Sequence, residues 1–163
     1  MESVYIETTI LSYLASRPSR DLLVAAHQEL TREWWQTRRP LFACYVSAVV
    51  IEEARAGDVE QAAKRLELTG GMAALELTPA AAGLVRTILQ SGVLPSKAAR
   101  DAAHVAIAAA AGVDYVLTWN CRHLANAQVL RALKTVVMAA GFEMPEVCTP
   151  AELMGEEGES GNV

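Results

Sequence analysis

Short apolar runs alternate with longer segments of helical periodicity along the chain. The apolar runs lie at residues 4–6, 41–46, 73–77, 115–118 and 147–148. Between them, apolar residues recur every three or four positions, which is the spacing of one face of a helix. Strands that alternate with helices predict a parallel sheet covered on both faces, with right-handed crossovers. The expected fold class is therefore α/β, with three α/β/α layers around a central parallel sheet of about five short strands.

Residues that favour helix starts follow most of the apolar runs. The candidate N-caps are Thr8 or Thr9, Ser47, Asp58, Thr78 and Ser96. If Ser96 caps the Ala-rich helix that Gly112 ends, Asp101 lies in the second turn of that helix. A carboxylate at this position is either solvated at the helix edge or requires a partner, because burying an unpaired charge is costly.

Composition favours one folded domain. The chain has 163 residues, of which 52% are hydrophobic and 20% charged, so general disorder is excluded. Residues 1–154 are expected to form a single domain, and residues 155–163 an acidic, Gly-rich, flexible tail. No apolar run reaches the length of about 18 residues that a membrane-spanning helix needs.

Charge and cysteine content limit the possible partners and compartments. The net charge of −5 is not that of a general nucleic-acid-binding protein, so a nucleic-acid substrate would require a local basic patch or metal ions. Three widely spaced cysteines predict free thiols and no zinc site. The first residues lack a basic segment followed by an apolar one, so no signal peptide and a cytoplasmic location are expected.

Acidic and amide side chains lie close to the predicted strand ends. Glu7 directly follows the first strand, and Asn120 comes shortly after the fourth. Asp101 lies in the helix that leads into the fourth strand, whereas Glu52 and Glu53 lie in the helix after the second. Ligands of parallel α/β sheets bind beyond the carboxyl ends of the strands, where the strand order reverses. If strands one and four are neighbours, these side chains converge.

Each of these residues also has an ordinary structural explanation. Glu7 could favour the dipole of the following helix, Glu52 and Glu53 could form a solvated face, and Asn120 could make an Asx turn. For His104, a hydrogen-bonded core histidine is favoured over a metal ligand. The set as a whole favours a metal site, because carboxylates that cluster at one edge of a sheet repel one another unless a divalent cation binds them. Oxygen ligands of this kind suit Mg²⁺ or Mn²⁺.

Four stretches of the chain form an ordered set of motifs: VYIETTILSYL, VSAVVIEEARAGD, DAAHVAIAAAAGVDYVLTWN and VCTPAEL. Together they resemble the PIN-domain nucleases, and within these the VapC-type toxins of type II toxin–antitoxin pairs. The family usually has Asp in the place of Glu7 and an acid in the place of Asn120. The Thr-Trp-Asn run at 118–120 is similar to that of one subgroup. The spacing of the second motif selects Glu53 over Glu52.

The resemblance implies a metal-dependent endoribonuclease that hydrolyses RNA phosphodiester bonds. Its catalytic residues would be Glu7, Glu53, Asp101 and Asn120. Glu7, Asp101 and Glu53 would hold Mg²⁺ or Mn²⁺, and the cation would activate a water for in-line attack.

The resemblance also implies residues and partners around this site. Thr118 would steady the metal ligands, and Arg122 and His123 would contact a phosphate of the substrate. The expected partners are RNA, a cognate antitoxin protein and a second copy of the chain, without a membrane.

Two other hypotheses remain beside the nuclease. Glu7 and Asn120 depart from the family pattern, so the chain could be a catalytically impaired PIN-like domain that binds RNA or a protein partner. A flavodoxin-like ligand-binding domain is disfavoured, because no Gly-rich phosphate loop follows the first strand.

Overall fold

A parallel five-stranded sheet forms the centre of the computed structural model, which describes residues 1–155. The tail predicted from residue 155 onward lies outside the described residues beyond Gly155. The strands are β1 (Ser3–Ile6), β2 (Ala43–Ser47), β3 (Ala73–Leu75), β4 (Tyr115–Leu117) and β5 (Glu146–Cys148), in the order β3-β2-β1-β4-β5. All pairings are parallel, which confirms the predicted α/β class and three-layer architecture.

Helices connect the strands. They are α1 (Thr8–Ala15), α2 (Leu22–Thr37), α3 (Ala48–Ala54), α4 (Val59–Leu68), α5 (Pro79–Ser91), α6 (Ala99–Ala111) and α7 (Ala127–Ala139). Short 3₁₀ turns lie at Arg39–Leu41 and Ser96–Ala98. Among residues 1–155, no helix combines the length and the apolar character needed to cross a membrane.

The strand order reverses at β1. Tyr5 of this central strand pairs with Tyr45 of β2 on one side and with Val116 of β4 on the other. Strands one and four are therefore neighbours, which is the condition under which the polar side chains at the strand ends were expected to converge. Since the carboxyl ends of all five strands lie at one edge, the segments that follow β1 and β4 adjoin each other there.

Three of the predicted N-caps are confirmed. The side chains of Ser47, Asp58 and Thr78 each accept a hydrogen bond from the backbone N–H three residues later. The prediction for α1 was wrong, because its N-cap is Glu7 rather than Thr8 or Thr9. The N–H of Glu7 donates to Leu117 O at 3.0 Å, which continues the pairing of β1 with β4 and keeps Glu7 extended.

The start of α6 also differs from the prediction. Ser96 begins a 3₁₀ turn and provides no side-chain cap, and the α-helix starts only at Ala99. Asp101 consequently lies in the first turn of α6, where a carboxylate interacts favourably with the helix dipole. Gly112 ends the helix as predicted, in a left-handed conformation (φ 68°) that an L side chain rarely adopts.

The ends of several other elements lie one to two residues from their predicted positions. The helical spacing of apolar residues predicts a helix over 21–39, but α2 ends at Thr37 because Arg39–Leu41 form a 3₁₀ turn around Pro40. The same turn delays β2, which begins at Ala43 rather than at residue 41. The three cysteines are free, as predicted.

Small side chains allow α6 to run through the core. Ala102, Ala106 and Ala108 are fully buried, and the helix packs against α5 and β4. Interiors are close-packed, so a larger side chain at such a position must displace its neighbours.

We expect Ala106→Leu to lower the free energy of unfolding by about 1–3 kcal/mol, because overpacking strains the core. Ala111→Leu is the matched control, since Ala111 is exposed at the end of the same helix and should change stability by less than about 0.5 kcal/mol. Urea denaturation of both variants measures the difference. Equal effects would contradict the close packing of α6.

Candidate metal centre

Glu7 brings a carboxylate to the carboxyl edge of the sheet. The residue is 3% exposed, and its Oε2 accepts hydrogen bonds from the backbone N–H of Thr9 (3.1 Å) and the hydroxyl of Thr118 (2.7 Å). The Thr9 hydroxyl also donates to Oε2. The other oxygen, Oε1, lies 3.9 Å from Nε2 of His104. Hydrogen bonds thus fix Oε2 in place, whereas Oε1 faces His104.

Glu53 of α3 brings a second carboxylate to the same place. Its Oε1 accepts a hydrogen bond from the Thr8 hydroxyl at 2.8 Å and lies 2.6 Å from His104 Nε2. The neighbouring Glu52 points elsewhere, with 74% of its side chain exposed and an ion pair to Arg100 at 3.6 Å. Of these two acids, the one that the second motif selects contacts the buried histidine.

His104 is fully buried in α6 and makes contacts through both ring nitrogens. Nδ1 lies 2.7 Å from the Tyr5 hydroxyl, which lies 2.7 Å from Ser47 Oγ. Nε2 is close to carboxylate oxygens of Glu7 and Glu53, but neither lies in a direction that makes a hydrogen bond. Nε2 is therefore a buried polar atom without a hydrogen-bond partner.

Glu7, Glu53 and His104 form a compact cluster. One ligand atom from each lies within 4.8 Å of the other two, and within the described part of the chain this is the group of three that meets that spacing. Two carboxylate oxygens and one imidazole nitrogen are a set of donors that fits a divalent cation. The unpartnered Nε2 supports this fit, because a buried polar atom normally has a partner.

Asp101 and Asn120 form a pair outside this cluster. The Asn120 amide donates to Asp101 Oδ1 at 3.0 Å, and the Asn120 N–H donates to Thr118 Oγ1 at 2.9 Å. Asn120 Oδ1 also accepts from the His123 N–H at 3.2 Å, so the side chain caps a local turn. Because Thr118 also donates to Glu7, it joins this pair to the cluster.

Charges in the cluster are partly compensated by the imidazole. Burial acts to lower the pKa of His104, but the carboxylates of Glu53 and Glu7 outweigh it and the pKa is raised. Burial acts to raise the pKa of Glu53, but His104 and the Thr8 hydroxyl outweigh it and the pKa is lowered. For Asp101, burial prevails over His104 and raises the pKa of the carboxyl. The imidazole thus favours ionised carboxylates around it.

Not every predicted site residue reaches the cluster. Glu7 and Glu53 lie in it, Asp101 and Asn120 lie beside it, and Arg122 is exposed on the surface. Motif reasoning missed His104 as a member and also missed the Tyr5 and Ser47 hydroxyls behind it. The available signal was the three-residue spacing of Asp101 and His104, which sets both on one side of a helix.

We expect Thr118→Val to lower the free energy of unfolding by about 1–3 kcal/mol, because it removes a donor to Glu7 and an acceptor for the Asn120 N–H at nearly constant volume. Thr135→Val is the control, since Thr135 is exposed and its hydroxyl bonds only to a helix carbonyl. Thermal unfolding of both variants without added metal measures the effect. A change no larger than that of the control would contradict the bridging role of Thr118.

Comparison with known proteins yields similarity in structure only. No protein-family model matches the sequence, and no curated protein is similar to it at a significant level. Ten solved chains match this one at a significant level, and three of them have TM-scores above 0.5.

The first is VapBC2 from Rickettsia felis bound to a promoter DNA fragment, with TM-score 0.52, 13% identity and coverage of 90% of this chain and 97% of that one. VapC20 from Mycobacterium tuberculosis, a sarcin–ricin loop cleaving toxin, has TM-score 0.52 and 16% identity over 86% and 96% of the two chains. FitAB bound to a DNA fragment has TM-score 0.53 and 16% identity over 96% and 99%. The chain therefore has the three-layer fold of the VapC-type PIN domains.

Proposed function

We propose that the chain is a metal-dependent endoribonuclease and the toxin of a toxin–antitoxin pair. The observation that carries this proposal is the convergence of the carboxylates of Glu7 and Glu53 on the buried His104 at the carboxyl edge of β1, beside Asp101. A buried and a half-buried carboxylate at the carboxyl edge of a sheet, each with one oxygen left for a ligand, are suited to metal-assisted hydrolysis.

Glu7, Glu53 and Asp101 are the acids that would hold Mg²⁺ or Mn²⁺. When bound, a divalent cation supplies an activated water and stabilises negative charge on the phosphate oxygens. Thr118 and Thr9 hold one oxygen of Glu7 in place, which leaves the other for binding. These hydrogen bonds favour metal binding, because a carboxylate that is already oriented need not be reoriented when a cation binds to it.

Three further residues would lie where the substrate binds: Asn120, Arg122 and His123. The Asn120 amide holds Asp101 by a hydrogen bond and replaces one negative charge of the family pattern. Arg122 is exposed and directly follows the Cys121 of the same turn, so its guanidinium is available to a phosphate. Favourable contacts of this kind would offset the net charge of −5 in binding RNA.

RNA is the proposed substrate class. Its support is the fold shared with VapC20, which is described as cleaving the sarcin–ricin loop. A cognate antitoxin is the proposed protein partner, in keeping with the VapBC2 and FitAB structures that share the fold. We further propose that the chain acts in the cytoplasm as a homodimer.

The decisive experiment compares wild type with Asp101→Asn on a panel of structured RNAs that includes a sarcin–ricin stem-loop. We expect cleavage with Mn²⁺ or Mg²⁺, none with EDTA, and a loss of at least about a hundredfold in Asp101→Asn, because metal assistance supplies several kcal/mol. Glu52→Gln is the control, since Glu52 is exposed and paired with Arg100, and should cleave at the wild-type rate.

Two results would contradict these expectations. No metal-dependent cleavage on the whole panel would refute the nuclease and favour an impaired domain that binds RNA or a protein. Cleavage that is unchanged in Asp101→Asn would refute the assignment of the site.

Asn120→Asp tests why an amide occupies an acidic position. A second carboxylate at this place would lose the 3.0 Å hydrogen bond to Asp101 and repel it, so the metal-free protein should lose roughly 1–3 kcal/mol of stability. Added Mn²⁺ should raise the melting temperature of this variant by more than that of wild type. Asn126→Asp is the control, because Asp caps α7 as well as Asn does. If Mn²⁺ raised the melting temperatures of wild type and Asn120→Asp equally, the side chain at position 120 would not interact with the metal.

A further inference from the structure

We propose that Nε2 of His104 is a direct metal ligand, so that the site has mixed nitrogen and oxygen donors and binds Mn²⁺ in preference to Mg²⁺. This inference rests on the metal-binding part of the proposed function and specifies its ligands. It adds a residue that lies outside the acidic motifs by which the chain resembles other nucleases.

The first argument is the position of Nε2. This atom is buried, lies 2.6 Å from Glu53 Oε1 and 3.9 Å from Glu7 Oε1, and makes no hydrogen bond. A buried polar atom that makes no well-directed hydrogen bond is unfavourable. A cation that binds Nε2 would displace the proton through which the imidazole otherwise compensates Glu53 and Glu7, and would itself neutralise both carboxylates.

The second argument is the support behind the ring. A metal-ligating histidine almost always uses its other ring nitrogen in a hydrogen bond that fixes the tautomer. Here Nδ1 lies 2.7 Å from the Tyr5 hydroxyl, and Tyr5 lies 2.7 Å from Ser47 Oγ. In the tautomer that a metal requires, Nδ1–H donates to the Tyr5 hydroxyl, the phenol donates to Ser47 Oγ, and Nε2 carries no proton.

The third argument concerns which metal such a site accepts. Mg²⁺ prefers oxygen ligands in near-ideal octahedral geometry and loses its waters reluctantly. Imidazole is a softer donor, which favours first-row transition metals. His104 adds a nitrogen donor to the carboxylates of Glu7 and Glu53, and this donor shifts the preference from Mg²⁺ to Mn²⁺.

Electron spin echo spectroscopy of the untagged protein with one equivalent of Mn²⁺ tests the proposal directly. We expect nitrogen-14 modulation in wild type, its loss in His104→Gln, and its retention in His27→Gln, the control, since His27 lies in α2 and stacks on Trp119. Mn²⁺ affinity should fall at least about tenfold in His104→Gln, with a smaller change in Mg²⁺ affinity. Absence of the nitrogen signal in wild type, or its persistence in His104→Gln, would overturn the proposal.

Tyr5→Phe provides a second variant that keeps the aromatic ring in the core. It should retain the nitrogen signal but weaken Mn²⁺ binding by about 10–100-fold, because the ring loses its orienting hydrogen bond. Tyr45→Phe on the adjacent strand is the control and should bind as wild type does. Unchanged Mn²⁺ affinity in Tyr5→Phe would refute the supporting role of Tyr5 and Ser47.

The outcomes separate this inference from the proposed function. Mn²⁺-dependent RNA cleavage without a nitrogen signal would refute His104 as a ligand and leave the nuclease intact. A nitrogen signal that disappears in His104→Gln, in a protein that cleaves no RNA, would support the ligand and refute the nuclease.

Discussion

Two carboxylates packed against one buried imidazole are the constraint on which the arrangement at the sheet edge depends. The carboxylates of Glu7 and Glu53 would repel each other at this distance, and burial acts against the ionisation of Glu53. His104 lies between them and offsets both effects, as the lowered pKa of Glu53 indicates. The fold must therefore bring β1, α3 and α6 together within a few ångströms, and the small buried side chains of α6 make this approach possible.

Much of the framework could be predicted from local sequence alone. The alternation of strands and helices predicts the α/β class. The caps at Ser47, Asp58 and Thr78 are also predictable, because each side chain bonds to a backbone N–H only three residues later. The predicted element boundaries were wrong where contacts between distant parts of the chain determine them. Glu7 caps α1 because β1 remains paired with β4 through Glu7, a contact across more than a hundred residues that no local pattern contains.

The role of His104 was hidden for the same reason. In the sequence it lies among alanines, and such a position is typical of a core histidine with ordinary hydrogen bonds. Its partners Tyr5 and Glu53 lie on other elements, and the Tyr5 contact spans 99 residues. The core assignment describes Nδ1 well, but Nε2 belongs to the acidic cluster. The His104 ring thus contacts Tyr5 in the core through Nδ1 and the carboxylates of Glu7 and Glu53 through Nε2.

This division also explains how the site tolerates an amide at position 120. A carboxylate there would face Asp101, whose pKa burial already raises, without a cation to offset the repulsion. The Asn120 amide donates to Asp101 instead, so the pair is stable by itself. Together, the imidazole and the amide reduce the negative charge that a bound cation would have to neutralise. An arrangement of this kind can fold without a cation, although it would attract one less strongly. In the metal site that we propose, Asn120 would therefore favour folding over cation binding.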